Sequence, residues 1–223
     1  MKSHYMFVAS LPPLPSHFGT GPIPITAQTL HHRLQLLDDE DRATVEQLAD
    51  FFRWDRQPLD RTDAEVLAKH RQLNTEIRNP MIRRVILHRF EMRTLVAAIR
   101  CRRDGISPPE MPDLPVAESI RRYWDHPFFR LDSRYPWLVP FCKALDDGCP
   151  QQAQYELFNE LWGLWSRLNQ ETHFSLESIV LYLARWEILR RWASQNADVG
   201  RQRFDDLVDG VLQQSINFSH LAR

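Results

Sequence analysis

The segment Met81–Arg103 constrains the fold most, because it is a long helical pattern with apolar residues on two opposite faces. Pro80 suits the first turn of this helix, and Gly105 suits its end because glycine readily adopts a left-handed conformation. Rows of arginine separate the two apolar faces, so we expect a helix that is packed on both sides, as in a scaffold. One face contains Met81, Val85, Met92, Leu95, Val96 and Ile99, and the other contains Leu87, Phe90, Ala97, Ala98 and Cys101.

The rest of the chain also has helical patterning, and no window shows a sustained two-residue alternation. The predicted fold is therefore all-α, a multi-helix bundle of antiparallel helices with a short extended N-terminal segment. Tyr5–Leu11 is expected to be that extended segment or a short strand. Besides Met81–Arg103, helices are predicted at residues 27–37, 42–54, 62–77, 116–124, 137–145, 151–168, 176–192 and 203–215.

The predicted domain organisation is one compact domain in three parts. Residues 1–25 form an extended N-terminal arm rich in proline and glycine, residues 26–106 form a first helical unit, and residues 107–223 form a second unit packed on the first. A short run of four acidic residues beginning at Asp38 separates the first two predicted helices.

Composition excludes several classes of function. Hydrophobic residues make up 43% of the chain and the net charge is −1, which indicates an ordinary globular protein with no overall attraction to nucleic acid. The most apolar stretch, residues 176–192, contains charged residues, so no membrane span is expected. With no targeting segment in view, we expect a cytoplasmic protein, or one held peripherally at the inner membrane by partner subunits.

Few residues suggest a site for a cofactor or for catalysis. No glycine-rich loop follows a strand and precedes a helix, so no nucleotide site is expected, and no cofactor or metal is predicted. His31 and His32 point to different sides of a helix and cannot both face one ion. Cys142, beside Lys143, lacks a nearby histidine or acid in a recognisable pattern and is interpreted as a small buried side chain.

The acidic residues Glu91 and Glu187 stand out because each lies beside an aromatic residue on a largely apolar helix. Paired carboxylates can perform acid–base chemistry, but pairing with the many nearby arginines explains them more simply. Our hypothesis is that both pair with arginines of neighbouring helices. The arginine rows either pair internally in this way or dock a partner. The candidate residues for either role are Arg89, Glu91, Arg93, Arg100, Arg103 and Glu187.

Three segments together resemble known proteins. Tyr5-Met6-Phe7-Val8-Ala9-Ser10-Leu11-Pro12-Pro13-Leu14 is similar to the start of an uncharacterised bacterial family encoded beside V-type (archaeal-type) rotary ATPase subunits, and Phe174–Trp192 is similar to the C-terminal part of that family. The helix that runs from Glu91 through Arg100 to Gly105 resembles one in the C-type subunit of rotary ATPases, which is the d-type subunit in eukaryotes. Thr94 stands where that pattern prefers asparagine, and this chain is shorter than the C-type subunit.

The resemblance implies a non-catalytic role. The C-type subunit links the central stalk of the ATPase to the membrane rotor ring, so this chain is expected to be a subunit or accessory protein of a V-type ATPase in proton or sodium transport. Its expected partners are the central-stalk and rotor-ring subunits. Two alternatives remain open: a free-standing helical interaction or assembly factor, and a helical enzyme that uses the acids and histidines of residues 31–41.

Overall fold

The computed structural model describes residues 4–53 and 62–195, and within them the fold is all-α, as predicted. About two thirds of the described residues are helical and none is in a strand. The helices are α1 (Tyr5–Ser10), α2 (Ala27–Leu34), α3 (Asp39–Phe52), α4 (Asp63–Glu76), α5 (Pro80–Arg103), α6 (Pro115–Arg122), α7 (Leu138–Asp146), α8 (Pro150–Gln170) and α9 (Leu176–Gln195). The helix predicted at residues 203–215 lies outside the described residues.

Side-chain caps explain where several helices begin. The Asp38 carboxylate accepts the amide of Asp41, so the acidic run forms the first turn of α3, where the helix dipole favours negative charge. The gap between the two helices is residues 35–38, because α2 ends three residues earlier and α3 begins three residues earlier than predicted. At α4, Thr62 and Glu65 form a reciprocal capping box.

The expectation of an extended or stranded segment at Tyr5–Leu11 is wrong for residues Tyr5–Ser10, which form α1. The amide of Val8 donates to the carbonyl of His4 at 3.0 Å, which closes the first helical turn. Phe7 is 2% exposed and lies in the main core. A seven-residue apolar run does not distinguish helix from strand, and here the burial of Phe7 accompanies the helical form.

Residues 11–25 have no helix, but they are tightly packed against α8 and α9. Phe18 is 3% exposed and its ring lies 5.3–6.0 Å from those of Tyr155, Phe158, Trp162 and Trp192. Side-chain donors from α8 and α9 also bind backbone carbonyls of the arm: Trp162 to Ser16, Tyr182 to Pro12 and Trp186 to Ile25. The arm is thus part of the folded body.

One main hydrophobic core draws residues from both of the predicted helical units, from Phe7 in α1 to Leu189 in α9. Helix α8 packs against α7 and α9, and α9 also contacts α3 and α5. Helix α5 further contacts α4 and α6. The division at residue 106 stays a prediction, because the core itself runs across it.

Candidate interaction surface

Helix α5 is buried along its middle turns and positions most of the predicted site residues. Asn79 caps it by accepting the amides of Met81 and Ile82 at 3.0 and 3.1 Å, and Pro80 follows in the first turn. Gly105 adopts φ 68° just beyond its end. The buried residues differ partly from the two predicted faces, because Leu87 is 39% exposed while Ile82, Ile86 and three polar or charged side chains are buried.

Glu91 lies inside this packed helix. Its side chain is 7% exposed, and its Oε1 atom lies 3.5 Å from a guanidinium nitrogen of Arg134. Arg134 is 56% exposed and belongs to the connection between α6 and α7, so the partner is an arginine of a connecting segment and not of a neighbouring helix. The ion pair therefore has one buried end and one solvated end, which limits its contribution to stability.

Tyr135, the next residue along the chain, brings a second polar group to Glu91. Burial has the largest effect and the negative charge of Glu91 the next largest, and together they raise the pKa of the Tyr135 hydroxyl well above its usual range. The hydroxyl and Glu91 Oε1 are both buried, and neither has a hydrogen-bond partner among the described residues. The Glu91 carboxylate is thus shielded from water beside the neutral hydroxyl of Tyr135 and the half-exposed guanidinium of Arg134.

The connection that carries Arg134 and Tyr135 is fixed by an unusual backbone. Phe129 and Arg130 both have positive φ, at 52° and 55°. The His126 ring nitrogen Nδ1 accepts the amides of Phe128 and Arg130, and Arg102 of α5 binds the His126 carbonyl. His126 is therefore a satisfied turn residue, and α5 itself anchors the segment that supplies its polar partners.

Arg89 and Arg93 lie one turn apart on α5 and face Arg191 of α9. Arg89 is 6% exposed, and burial, then the charges of Arg93 and Arg191, lower its pKa well below the usual range. Arg93 is half-buried. Of these two arginines of the predicted rows, Arg89 therefore belongs to the interior of the protein, and Arg93 lies half-buried beside it.

The arginines at the C-terminal end of α5 have a different setting. Arg100 is exposed, and Arg103 lies 3.8 Å from Asp146 of α7 with 43% of its side chain exposed. Arg102, between them, stacks over the Phe129 ring at 5.2 Å. The predicted arginine rows are thus internal in the middle of α5 and solvent-facing at its end.

Glu187 is buried on α9, and its partner is Arg190 of the same helix, with nitrogen–oxygen distances of 2.5 and 3.1 Å. Our expectation of a partner on a neighbouring helix is therefore wrong for Glu187, because residues three apart on a helix already face each other. Its carboxylate also lines a cleft of about 310 Å³ between α2, α3 and α9, with Leu30, Phe52 and Trp186 among its apolar walls.

The structure also bears on the weaker chemical candidates. Burial raises the pKa of the Cys142 thiol despite the adjacent lysine, so this cysteine is a poor nucleophile at neutral pH. His31 and His32 are both exposed. Within residues 4–53 and 62–195, no group of three or more histidine, cysteine, aspartate or glutamate side chains is arranged to hold a metal ion.

The sequence patterns missed a groove between α4 and α5. It has a volume of about 340 Å³ and is lined from α4 by His70, Leu73 and Asn74 and from α5 by Pro80, Arg83, Arg84, Ile86 and Leu87. Leu87 belongs to one of the two apolar faces that the sequence predicts to be packed, but it lies at this groove with 39% of its surface exposed. A signal was present in the adjacent Arg83-Arg84 pair, which shows that this side of the first two turns meets solvent.

Comparisons with known proteins add no assignment: no family model, no curated protein and no solved structure matches this chain. None of the helices in the described part of the chain has the length and apolar character required to cross a membrane.

Proposed function

We propose that this chain is a non-catalytic subunit or accessory protein of a V-type ATPase, and that it acts by binding neighbouring subunits between the central stalk and the membrane rotor ring. The proposal starts from the three segments that resemble the ATPase-associated family and a helix of the C-type subunit. Its partners supply the ion transport and the ATP hydrolysis, and this chain supplies a stiff connection.

The observation that carries the proposal is the setting of α5. The helix has 24 residues, and 11 of them are buried, including Arg89 and Glu91. Its middle is held by α9 and by the α6–α7 connection, whereas Arg100 and Arg103 at its end are exposed. A helix that is clamped along its middle and presents charge beyond it suits the transmission of a position between two partners.

The packing of the other two segments supports the same role. The hydroxyl of Tyr182 donates to the Pro12 carbonyl at 3.0 Å, and the amide of His4 donates to the Phe174 carbonyl at 3.2 Å. The rings of Tyr5 and Phe174 lie 4.8 Å apart, and both are largely exposed. The two segments, which are far apart in sequence, thus form one surface with exposed aromatic residues, a composition that is common at protein interfaces.

The test is affinity purification of the tagged full-length chain from its native host, followed by mass spectrometry. We expect central-stalk or rotor-ring subunits in fixed stoichiometry with the tagged chain. Association only with incomplete assemblies would replace the subunit role by that of an assembly factor. The absence of every rotary ATPase subunit would contradict the proposal.

Charge reversal at three arginines separates docking from folding. Arg100→Glu is expected to weaken co-purification while leaving thermal unfolding unchanged, because Arg100 is exposed. Arg93→Glu is expected to shift the unfolding temperature, because Arg93 is half-buried and its charge acts on the buried Arg89. Arg167→Glu, on the exposed side of α8, is the matched control and is expected to change neither property. Equal loss of co-purification in the Arg100 and Arg167 variants would contradict docking through the end of α5.

A further inference from the structure

The groove between α4 and α5 has an apolar floor. Its accessible apolar surface comes mainly from Pro80 and Leu87, whereas Ile86 is 5% exposed and Leu73, at 0%, lies beneath it. Leu87 stands at its edge with 39% of its surface exposed, although leucine usually lies inside a protein. At about 340 Å³, the groove is at the small end of the range for binding sites, so it suits a few side chains of a larger partner.

The charges around this floor are basic. Arg83 and Arg84 are exposed and His70 completes the rim, while none of the eight lining residues is acidic. The guanidinium of Arg83 donates to the Asn74 side chain at 2.8 Å, which holds it across the groove from α5 to α4. Arg84 forms no ion pair with any described residue, so its charge is available to a partner.

One carboxylate lies near this rim. Asp113 is close enough to His70 to raise its pKa, but burial has the larger effect and the pKa of His70 is lowered overall. His70 is also held edge-on against the Phe90 ring at 4.9 Å. The two arginines therefore provide the permanent charge of the groove.

We propose that the α4–α5 groove binds an acidic amphipathic helix of a partner protein, whose leucine-like side chains contact Pro80, Ile86 and Leu87 while its carboxylates pair with Arg83 and Arg84. A helix places apolar residues three and four positions apart on one face and acidic residues beside them, which matches an apolar floor with a basic rim. Arginine also forms two parallel hydrogen bonds with a carboxylate, which adds directional selectivity.

This inference rests on the proposed function in one respect: the chain acts by binding other proteins, and the groove defines the chemistry of one such partner. The surface is separate from the C-terminal end of α5, where Arg100 lies. An anionic membrane would meet the same arginines but would not fill a concave groove between two helices, and the chain as a whole, with a net charge of −1, has no positive charge that attracts it.

The experiment measures binding of fluorescein-labelled synthetic peptides to the full-length chain by fluorescence anisotropy. The probe is a peptide of about 18 residues, five helical turns, with leucine on one face and glutamate on the flanks. A second peptide has lysine in place of every glutamate, and a third has the same composition as the probe without the apolar stripe. We expect the acidic amphipathic peptide to bind at least about tenfold more tightly than either control peptide.

The variants locate the site. Arg83→Glu combined with Arg84→Glu is expected to weaken binding of the acidic peptide by about tenfold or more, and Leu87→Glu is expected to weaken it similarly. Arg167→Glu is the matched surface control, and circular dichroism confirms that each variant is folded. Equal binding of the acidic and basic peptides, or unchanged affinity in both groove variants, would overturn the inference.

A vesicle assay completes the test, with phosphatidylserine in phosphatidylcholine as the probe. Binding of vesicles that depends on Arg83 and Arg84, without binding of the acidic peptide, would overturn the protein-partner assignment. Because these measurements need no ATPase subunit, their failure leaves the co-purification result standing, and failure of co-purification leaves the peptide result standing.

Discussion

Replacing Glu91 by glutamine and Tyr135 by phenylalanine, singly and together, measures how strongly the buried carboxylate and the buried hydroxyl depend on each other. The Glu91 side chain is 7% exposed and Tyr135 is 5% exposed, so water replaces little of what either substitution removes. Both substitutions nearly preserve shape, which separates the polar interaction from packing.

The magnitude follows from the charge and the burial. A hydrogen bond to a charged group contributes about 1.5–3 kcal/mol to stability. Neither the Tyr135 hydroxyl nor Glu91 Oε1 has a hydrogen-bond partner among the described residues, which favours values at or below the lower end of that range. We therefore expect each single variant to lose about 1–2 kcal/mol and the pair to show a coupling energy of about 1 kcal/mol.

The assay is equilibrium unfolding in urea, followed by circular dichroism and tryptophan fluorescence, for the parent and the three variants. For a protein of this size, a loss of 1 kcal/mol corresponds to a fall of about 2–4 °C in the unfolding temperature, so a thermal scan provides an independent check. Arg134→Gln is the matched control, and we expect it to lose less than about 1 kcal/mol because Arg134 is 56% exposed.

Three results would refute this reasoning. A coupling energy below about 0.5 kcal/mol would show that Glu91 and Tyr135 act independently. A larger loss for Arg134→Gln than for Tyr135→Phe would show that the solvated ion pair, and not the buried phenol, holds the Glu91 carboxylate. Unchanged stability of Glu91→Gln would remove the role of Glu91 in clamping α5.

Three further perturbations test the packing and the titrating groups. Phe18→Ala is expected to cost about 3–5 kcal/mol in urea unfolding because the ring is buried among four aromatic rings, whereas Leu36→Ala, at a site 56% exposed, should change stability by less than about 0.5 kcal/mol. Burial raises the pKa of Tyr182 to about 12. The contribution of this group to stability is therefore complete below the unfolded pKa of about 10 and is lost as the pH rises to 12. In a pH series of thermal scans, Tyr182→Phe should flatten that decline. Burial tends to raise the pKa of Glu177, but hydrogen bonds from Asn79 and Ser175 lower it overall. The contribution of the Glu177 carboxylate to stability is therefore present above pH 4.5 and is lost as the pH falls through the lowered pKa. A Glu177→Gln variant that retains the full acid destabilisation would contradict this assignment.

The helix boundaries were predictable where local signals agree. For α5, the predicted limits 81–103 differ from the observed Pro80–Arg103 by one residue, because Pro80 and Gly105 act within a turn of the helix ends. The acidic run at Asp38 was harder, since a cap and a break contain the same residue types. The tertiary packing of Phe7 and Phe18 was not predictable, because nothing local to residues 5–25 specifies contacts with α8 and α9.

For the candidate residues, the sequence predicted the kind of side chain that each would pair with, but not which residue it would be. Arginine and carboxylate side chains were expected to pair, and they do, but Arg134 lies on a connecting segment and Arg190 lies on the same helix as Glu187. Tyr135 was not singled out at all. Its importance comes from burial beside Glu91, and a single tyrosine next to a proline carries no signal for that.

By itself, the sequence determined the helical class of this protein, the limits of α5 and the alternation of apolar and arginine rows along it. These properties depend on backbone periodicity and on capping residues within a few positions of each other. Only the tertiary structure decided that Arg89 is buried and Arg93 half-buried, that Arg100 is exposed, and that Leu87 lies at the edge of a basic groove. Those outcomes depend on which helix covers each stretch of α5, and this is set by contacts between residues that are far apart along the chain.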